Sequence, residues 1–176
     1  NKILGLMNRK HTINEYLEIF KNLKEINPNI EFSSDFIVGY PGEKKQDFED
    51  TLNFIQKVKF INSYSFIFSP RPGTVASKLE LIDKKISMER LEKIQNQLFE
   101  NQLFMNRSFE NKIIDVLVEN LTKDKARTFG RSEYMMPVIF NGNKKDIGKI
   151  LPVKIVGSNR STLFGEKIDN SNLKVA

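Results

Sequence analysis

The stretch SSDFIVGYPGE, Ser33–Glu43, limits the possible folds more than any other part of the chain. Its middle, Phe36–Val38, is apolar and partly β-branched, which suits a buried strand. Gly39, Pro41 and Gly42 then stop the strand and expose backbone. An acidic helix is expected next. Strand, glycine-rich turn and helix together read as half of a βα unit. In folds built from such units, ligands collect at the carboxyl ends of parallel strands, where this turn sits. A plain tight connection with no ligand meets the same spacing, since short glycine turns are common.

The flanking sequence extends the pattern. Lys2–Asn8 is one apolar helical turn. Thr12 with Glu15 has the capping-box spacing. Ile13, Tyr16, Leu17, Phe20 and Leu23 then repeat on one helical face, and Asn27–Pro28 ends that helix. The central strand is expected over Ile30–Gly39 and the next helix over Gln46–Lys59. Asp47, Glu49 and Asp50 fall where the helix dipole favours acids, so they need no catalytic role. Phe60–Ser69 reads as a second strand, with Tyr64, Phe66 and Phe68 on one face and Ser63, Ser65 and Ile67 on the other. Right-handed crossovers make the two strands parallel neighbours. Two strands cannot close an α/β domain, so either more strands precede Asn1 or the α/β reading fails. The chain also starts at Asn1 rather than Met, so it is read as a fragment. SPRPGT, Ser69–Thr74, is a rigid turn carrying Arg71, placed either to clamp an anion or to pair with an acid. Ser77–Lys85 reads as a loop. Ser87 is then expected to cap a long helix reaching about Asn111. Its stripe of Leu91, Ile94, Leu98 and Met105, widened by Phe99, Leu103 and Phe104, is assigned to packing.

From Ile113 the period shortens. Ile113–Leu121, Ala126–Tyr134, Met136–Asn141, Ile147–Val156 and Thr162–Ile168 read as five short strands. Asn141–Gly142–Asn143 and Gly157–Ser158–Asn159 are expected hairpin turns. Five strands at this spacing suggest a small barrel of OB type, a class that often binds single-stranded or looped RNA. The charge agrees. Residues 1–106 carry 15 Lys+Arg against 14 Asp+Glu, whereas residues 107–176 carry 13 against 8. The basic excess of the C-terminal part fits either a polyanion partner or a solubilising surface. With no cysteine, disulfides, thiolate-bound metal and cysteine catalysis are excluded within these residues, and a reducing compartment fits. No apolar run reaches the ~20 residues that span a bilayer. His11 is the only histidine and precedes a helix cap, which is a structural position. Asp35 and Glu43 have no evident general-acid partner. The residues alone give an α/β half-domain plus a small basic β-barrel linked to RNA, and no reaction.

MNRKHT (Met7–Thr12), SSDFIVGYPGE, DFEDTL (Asp47–Leu52) and SPRPGT occur in an order and spacing that resembles the radical S-adenosylmethionine methylthiotransferases. GRSEYMMPV (Gly130–Val138), IGKILPVKI (Ile147–Ile155) and LFGE (Leu163–Glu166) resemble their TRAM domain. The resemblance implies an α/β plus β fold: the C-terminal part of a radical-SAM partial (βα) barrel over 1–106, then a small OB-like TRAM barrel over 107–170, with a frayed tail over 171–176. The Ser33–Ser34–Asp35 lead into FIVG favours the tRNA-acting branch, which adds a 2-methylthio group to isopentenyladenosine beside the anticodon. A free-standing non-catalytic RNA-binding protein and a methylthiotransferase acting on a ribosomal protein are the alternatives. The family's cofactors are S-adenosylmethionine and two four-iron four-sulfur clusters, whose cysteine ligands are not in this chain. By resemblance, Ile37, Val38, Gly39, Phe68 and Ser69 line the S-adenosylmethionine site, where Gly39 would let a flat ring approach the backbone. Lys112, Arg127 and Arg131 are selected as tRNA phosphate contacts from charge and placement. The implied partner is a tRNA anticodon stem-loop, and the protein is expected to be monomeric, cytoplasmic and inactive as these 176 residues alone. Two positions depart from the family pattern. Lys44 replaces the usual Thr helix cap after PGE, and Ser161–Thr162–Leu163 replaces Asn-Ser-Leu before the final strand.

Overall fold

The computed structural model describes residues 1–168. The expected frayed tail, and the end of the expected TRAM span, lie outside those residues. The chain divides into two compact units, Asn1–Asn101 and Gln102 onward.

In the first unit, α1 (Lys2–Leu6) and α2 (Ile13–Ile26) precede β1 (Asp35–Val38), α3 (Lys45–Val58), β2 (Tyr64–Ile67), a short 3₁₀ turn at Val75–Lys78 and the greater part of α4 (Lys84–Ser108), which runs past Asn101. The capping box at α2 forms. The Glu15 N–H donates to the Thr12 hydroxyl at 3.3 Å, and the Thr12 N–H donates to the Glu15 carboxylate at 2.7 Å. At α3, Lys44 provides no side-chain cap. Half of a box survives, because its N–H donates to Asp47 at 2.8 Å. Ser87 is not a cap. The Asp83 carboxylate accepts the N–H groups of Lys85 and Ile86 at 2.8 and 3.2 Å, and Ser87 lies inside α4, buried. Asp83, four residues upstream of Ser87, takes the capping position instead. The helix stops at Ser108, and Asn111 takes a left-handed backbone (φ 67°) before the chain turns.

β1 and β2 pair in parallel, with Asp35 opposite Tyr64 and Val38 opposite Ile67. Both are shorter than expected, because side chains replace the ladder upstream. The Ser33 hydroxyl donates to Asn62 O at 2.9 Å, and the Ser34 N–H donates to the Ser63 hydroxyl at 3.1 Å. One sheet face presents Phe36 and Val38 to a core of Phe48, Ile55, Val58, Phe60, Ile94 and Leu98. The other face carries Asp35, Ile37, Tyr64 and Phe66, all exposed.

The second unit is a closed barrel of β3 (Ile113–Leu121), β4 (Thr128–Ser132), β5 (Pro137–Asn141), β6 (Ile150–Ser158) and β7 (Leu163–Lys167). The order round the barrel is β3-β4-β5-β7-β6, and β6 pairs back to β3. Only β5–β7 is parallel. Inward residues alternate along each strand, giving a core of Val116, Val118, Val138, Phe140, Val153, Ile155 and Leu163. Gly130 faces this interior, and a Cβ there would collide with Leu117 O and Val116. Asn141–Gly142–Asn143 is not a hairpin, since β7 lies between β5 and β6. Instead the Asn143 side chain accepts the Lys145 N–H at 2.9 Å and starts a 3₁₀ turn, Lys144–Asp146. Asn-Gly suits either use, and periodicity cannot tell them apart. The β6–β7 hairpin exists but turns later: the Asn159 N–H donates to Thr162 O at 2.9 Å, and the Asn159 side chain accepts from Ser161 and Thr162.

Candidate cofactor-lining turn and nucleic-acid surface

The turn after β1 is held from below by a buried ion pair. The Gly39 N–H donates to a Glu43 carboxylate oxygen at 2.6 Å, and Arg90 of α4 donates to the same oxygen at 2.7 Å. Arg90 also reaches Glu43 O at 3.2 Å, and its guanidinium stands 5.5 Å from the centre of the Phe48 ring. Glu43 is thus buried but fully engaged, the condition under which a charge is tolerated away from water. Gly39 takes φ 73°, and a Cβ on it would lie 2.6 Å from the Ser87 hydroxyl. Its missing side chain therefore makes room for Ser87 of α4. Phe68 donates its N–H to Val38 O at 2.8 Å and meets the Tyr40 ring edge-on, with ring centres 4.9 Å apart.

These contacts separate the five residues expected here. Val38 is fully buried in the core and Gly39 lies under α4, so neither offers a side chain to a ligand. Ile37 and Ser69 are exposed, and Phe68 is half-buried. Ile37 shares its open sheet face with Tyr64 and Phe66, 67% and 52% exposed, which sequence reasoning assigned to one face but not to a site. Such apolar exposure on a strand is the available signal. A cavity of about 400 Å³ adjoins this face, lined in part by Asp35, Ile37, His11 and Tyr16. Burial pushes the Tyr16 phenol up. Arg71 is exposed in its turn.

In the barrel, Arg131 lies two residues after Phe129, so strand alternation puts both on the outer face of β4, and Arg127 is exposed in the β3–β4 loop just before the strand. Arg131 is engaged, with its Nε 3.2 Å from Glu119, a hydrogen bond to Met135 O and its guanidinium 5.8 Å from the Phe129 ring centre. The β3–β4 loop adds Lys123 and Lys125 beside Arg127. Within it, the hydroxyl of Thr122 and the N–H of Ala126 hold the Asp124 carboxyl below its ordinary range. Lys112 is exposed, with its Nζ 5.9 Å from the Phe109 ring centre. It precedes β3, whereas Arg131 pairs with Leu117 five residues along, which is about 17 Å at ~3.4 Å per residue. Arg131 therefore shares its outer face with Phe129, Arg127 lies in the loop just before it, and Lys112 stands apart. On that face Phe129 is opposite Ile139, and Ile139 is opposite Phe164. Sequence reasoning missed this row, although outward alternation in TFGRS, PVIFN and LFGEK marks it.

Residues 1–55 match the Radical SAM superfamily and residues 107–168 match the TRAM domain. The chain is 61% identical, over all 176 residues, to a tRNA-2-methylthio-N(6)-dimethylallyladenosine synthase of Pelagibacter ubique, and covers 40% of that protein. It is 43% identical over 173 residues to the protein of the same name from Orientia tsutsugamushi, with 97% of this chain and 38% of the relative covered. Along its whole length the chain is similar to part of these synthases. It spans about 40% of the length of the curated relatives it matches. The Radical SAM match implies S-adenosylmethionine and iron–sulfur chemistry at the level of that superfamily. Among the described residues no cluster of His, Cys, Asp or Glu could hold a metal, and the chain has no cysteine, so its residues do not fit an iron–sulfur cluster. No helix among the described residues is long and apolar enough to cross a membrane.

Proposed function

We propose that this chain is the cofactor-lining and RNA-contacting portion of a tRNA methylthiotransferase that adds a 2-methylthio group to isopentenyladenosine beside the anticodon. The observation that carries the proposal is the 61% identity along the entire chain to a relative of that name. In this reading residues 1–106 contribute to the radical SAM core and 107–170 form the TRAM domain. S-adenosylmethionine, when bound, supplies the radical precursor and the methyl group. Ile37 and Phe68 would offer it apolar surface at the strand ends, Ser69 a hydroxyl, and Val38 and Gly39 backbone only. The buried Glu43–Arg90 pair keeps that backbone in place. Arg127 and Arg131 would take phosphates of an anticodon stem-loop, with Lys112 as an outlying contact. The protein would work as a cytoplasmic monomer.

Deleting the gene tests the whole reading. Nucleoside mass spectrometry of bulk tRNA should show isopentenyladenosine without its 2-methylthio partner. Unchanged tRNA with an altered ribosomal protein would overturn the tRNA assignment in favour of the protein-modifying branch. For the barrel, fluorescence anisotropy with an anticodon stem-loop should show affinity falling steeply with salt. Arg127→Ala with Arg131→Ala should reduce the log–log slope by roughly 1.4–1.8, two phosphates' worth. An unchanged slope would refute the choice of arginines.

A further inference from the structure

We infer that the outer face of β4, β5 and β7 is a stacking site for an unpaired RNA base, built on Phe129, Ile139 and Phe164. This deepens the RNA reading above and rests on it. Cross-strand register sets the three side by side, Phe129 to Ile139 and Ile139 to Phe164. Direct cross-strand neighbours have their Cβ atoms about 5 Å apart, so the row forms one continuous apolar strip. The strip faces outward. The inward neighbours Thr128, Val138, Phe140 and Leu163 fill the barrel, and none of the three strip residues belongs to that core. All three are half-buried, which leaves part of each ring or side chain open to solvent.

Both edges of the strip carry charge. Arg131 flanks it on β4, with Arg127 exposed in the loop just before that strand, and on the far side exposed Glu166 of β7 stands opposite exposed Lys154 of β6. A base on the rings therefore has a cation for its phosphate on either side. The Arg131–Glu119 pair does not prevent this. At 38% and 34% exposure it is a surface pair, which contributes little, and its guanidinium can exchange a carboxylate for a phosphate. A π-face is common to every base, so the strip recognises single-strandedness and not sequence. A duplex cannot offer a base face laterally, so stems are excluded and splayed loop bases are selected.

The test uses the 176-residue chain and a single-stranded RNA oligomer with one internal 2-aminopurine, compared with the same strand in a duplex. Binding should quench the unpaired 2-aminopurine and leave the duplex signal unchanged. Phe129→Leu with Phe164→Leu should weaken single-strand binding about tenfold or more and abolish the quench, with the salt slope unchanged. Phe129→Trp, which keeps a ring, should retain both binding and quench, and so guards against a loss due only to folding. Arg127→Ala with Arg131→Ala should lower the salt slope while a saturating quench remains. If the wild-type chain binds single-stranded RNA and the double Leu variant binds and quenches equally, the strip is not the site. If the wild-type chain binds no RNA at all, the parent RNA reading fails as well.

Discussion

Replacing Gly39 by Ala tests how the turn after β1 is held. Two costs add. A left-handed backbone costs an L-residue about 1–2 kcal/mol, and Gly39 sits at φ 73°. The new Cβ would also lie 2.6 Å from Ser87 Oγ and 3.1 Å from Ser87 Cβ, an overpacking contact that costs about 1–3 kcal/mol. Loss of unfolded-state freedom offsets about 0.4–1 kcal/mol. The net expectation is about 2–4 kcal/mol. Ser87→Ala removes the nearer atom but leaves the Cβ, so the double variant should recover about 1 kcal/mol, measurable as a coupling energy. Urea denaturation followed by tyrosine fluorescence suits the problem. Three of the four tyrosines, Tyr16, Tyr40 and Tyr64, lie in the first unit. With a urea dependence of about 1–1.5 kcal/mol per M for a unit of this size, the midpoint should fall by roughly 2 M. A fall below about 0.5 M, or additive effects of the two substitutions, would refute the claim that α4 packs against the missing side chain.

Two further outcomes are expected in the barrel. Lys167, hydrogen-bonded to Asp146 at 2.8 Å, and the Asn143 N–H at 3.0 Å hold that buried carboxyl below its ordinary range, despite the opposing effect of burial. The contribution is therefore present above the unfolded value of about 3.9 and is lost as pH falls through the lower folded value; Asp146→Asn should flatten that acid-side loss in thermal melts, and a slope equal to wild type would exclude Asp146 as its source. The Thr128 hydroxyl is fully buried without a hydrogen-bond partner, so Thr128→Val should stabilise the barrel by about 1 kcal/mol in the same melts, and a lower midpoint would contradict this.

The elements legible in the sequence are those fixed by local chemistry. Thr12 and Glu15 announce α2, Gly39–Gly42 end β1, and short alternation reveals all five barrel strands. What was missed depends on partners distant in sequence. Ser87 looked like a cap because its true role, filling the space over Gly39, is set by a residue 48 positions earlier. Asn141–Gly142 looked like a hairpin because the strand that intervenes, β7, comes last. The expected strands run too far upstream, where serine side chains take over part of the ladder. In the candidate sites, charge singled out Arg127 and Arg131, whereas Phe129, Ile139 and Phe164 form a row only through register. The family motif named Val38 and Gly39, and only the packing shows that their side-chain positions are taken up by the core and by α4.

The register at the barrel seam has a consequence for how such a module can be reused. β3 begins with Ile113 opposite Lys154, and β7 ends with Lys167 opposite Val153. The entry and exit of the barrel thus flank adjacent residues of one strand, about 10 Å apart at two inter-strand spacings of ~4.8 Å. A unit whose ends nearly meet can be spliced into a surface loop, or tethered after another domain, without stretching its host. Its strands would accept new termini at the β3–β4 loop for the same reason. The barrel is geometrically portable, a cassette that different catalytic bodies could carry unchanged.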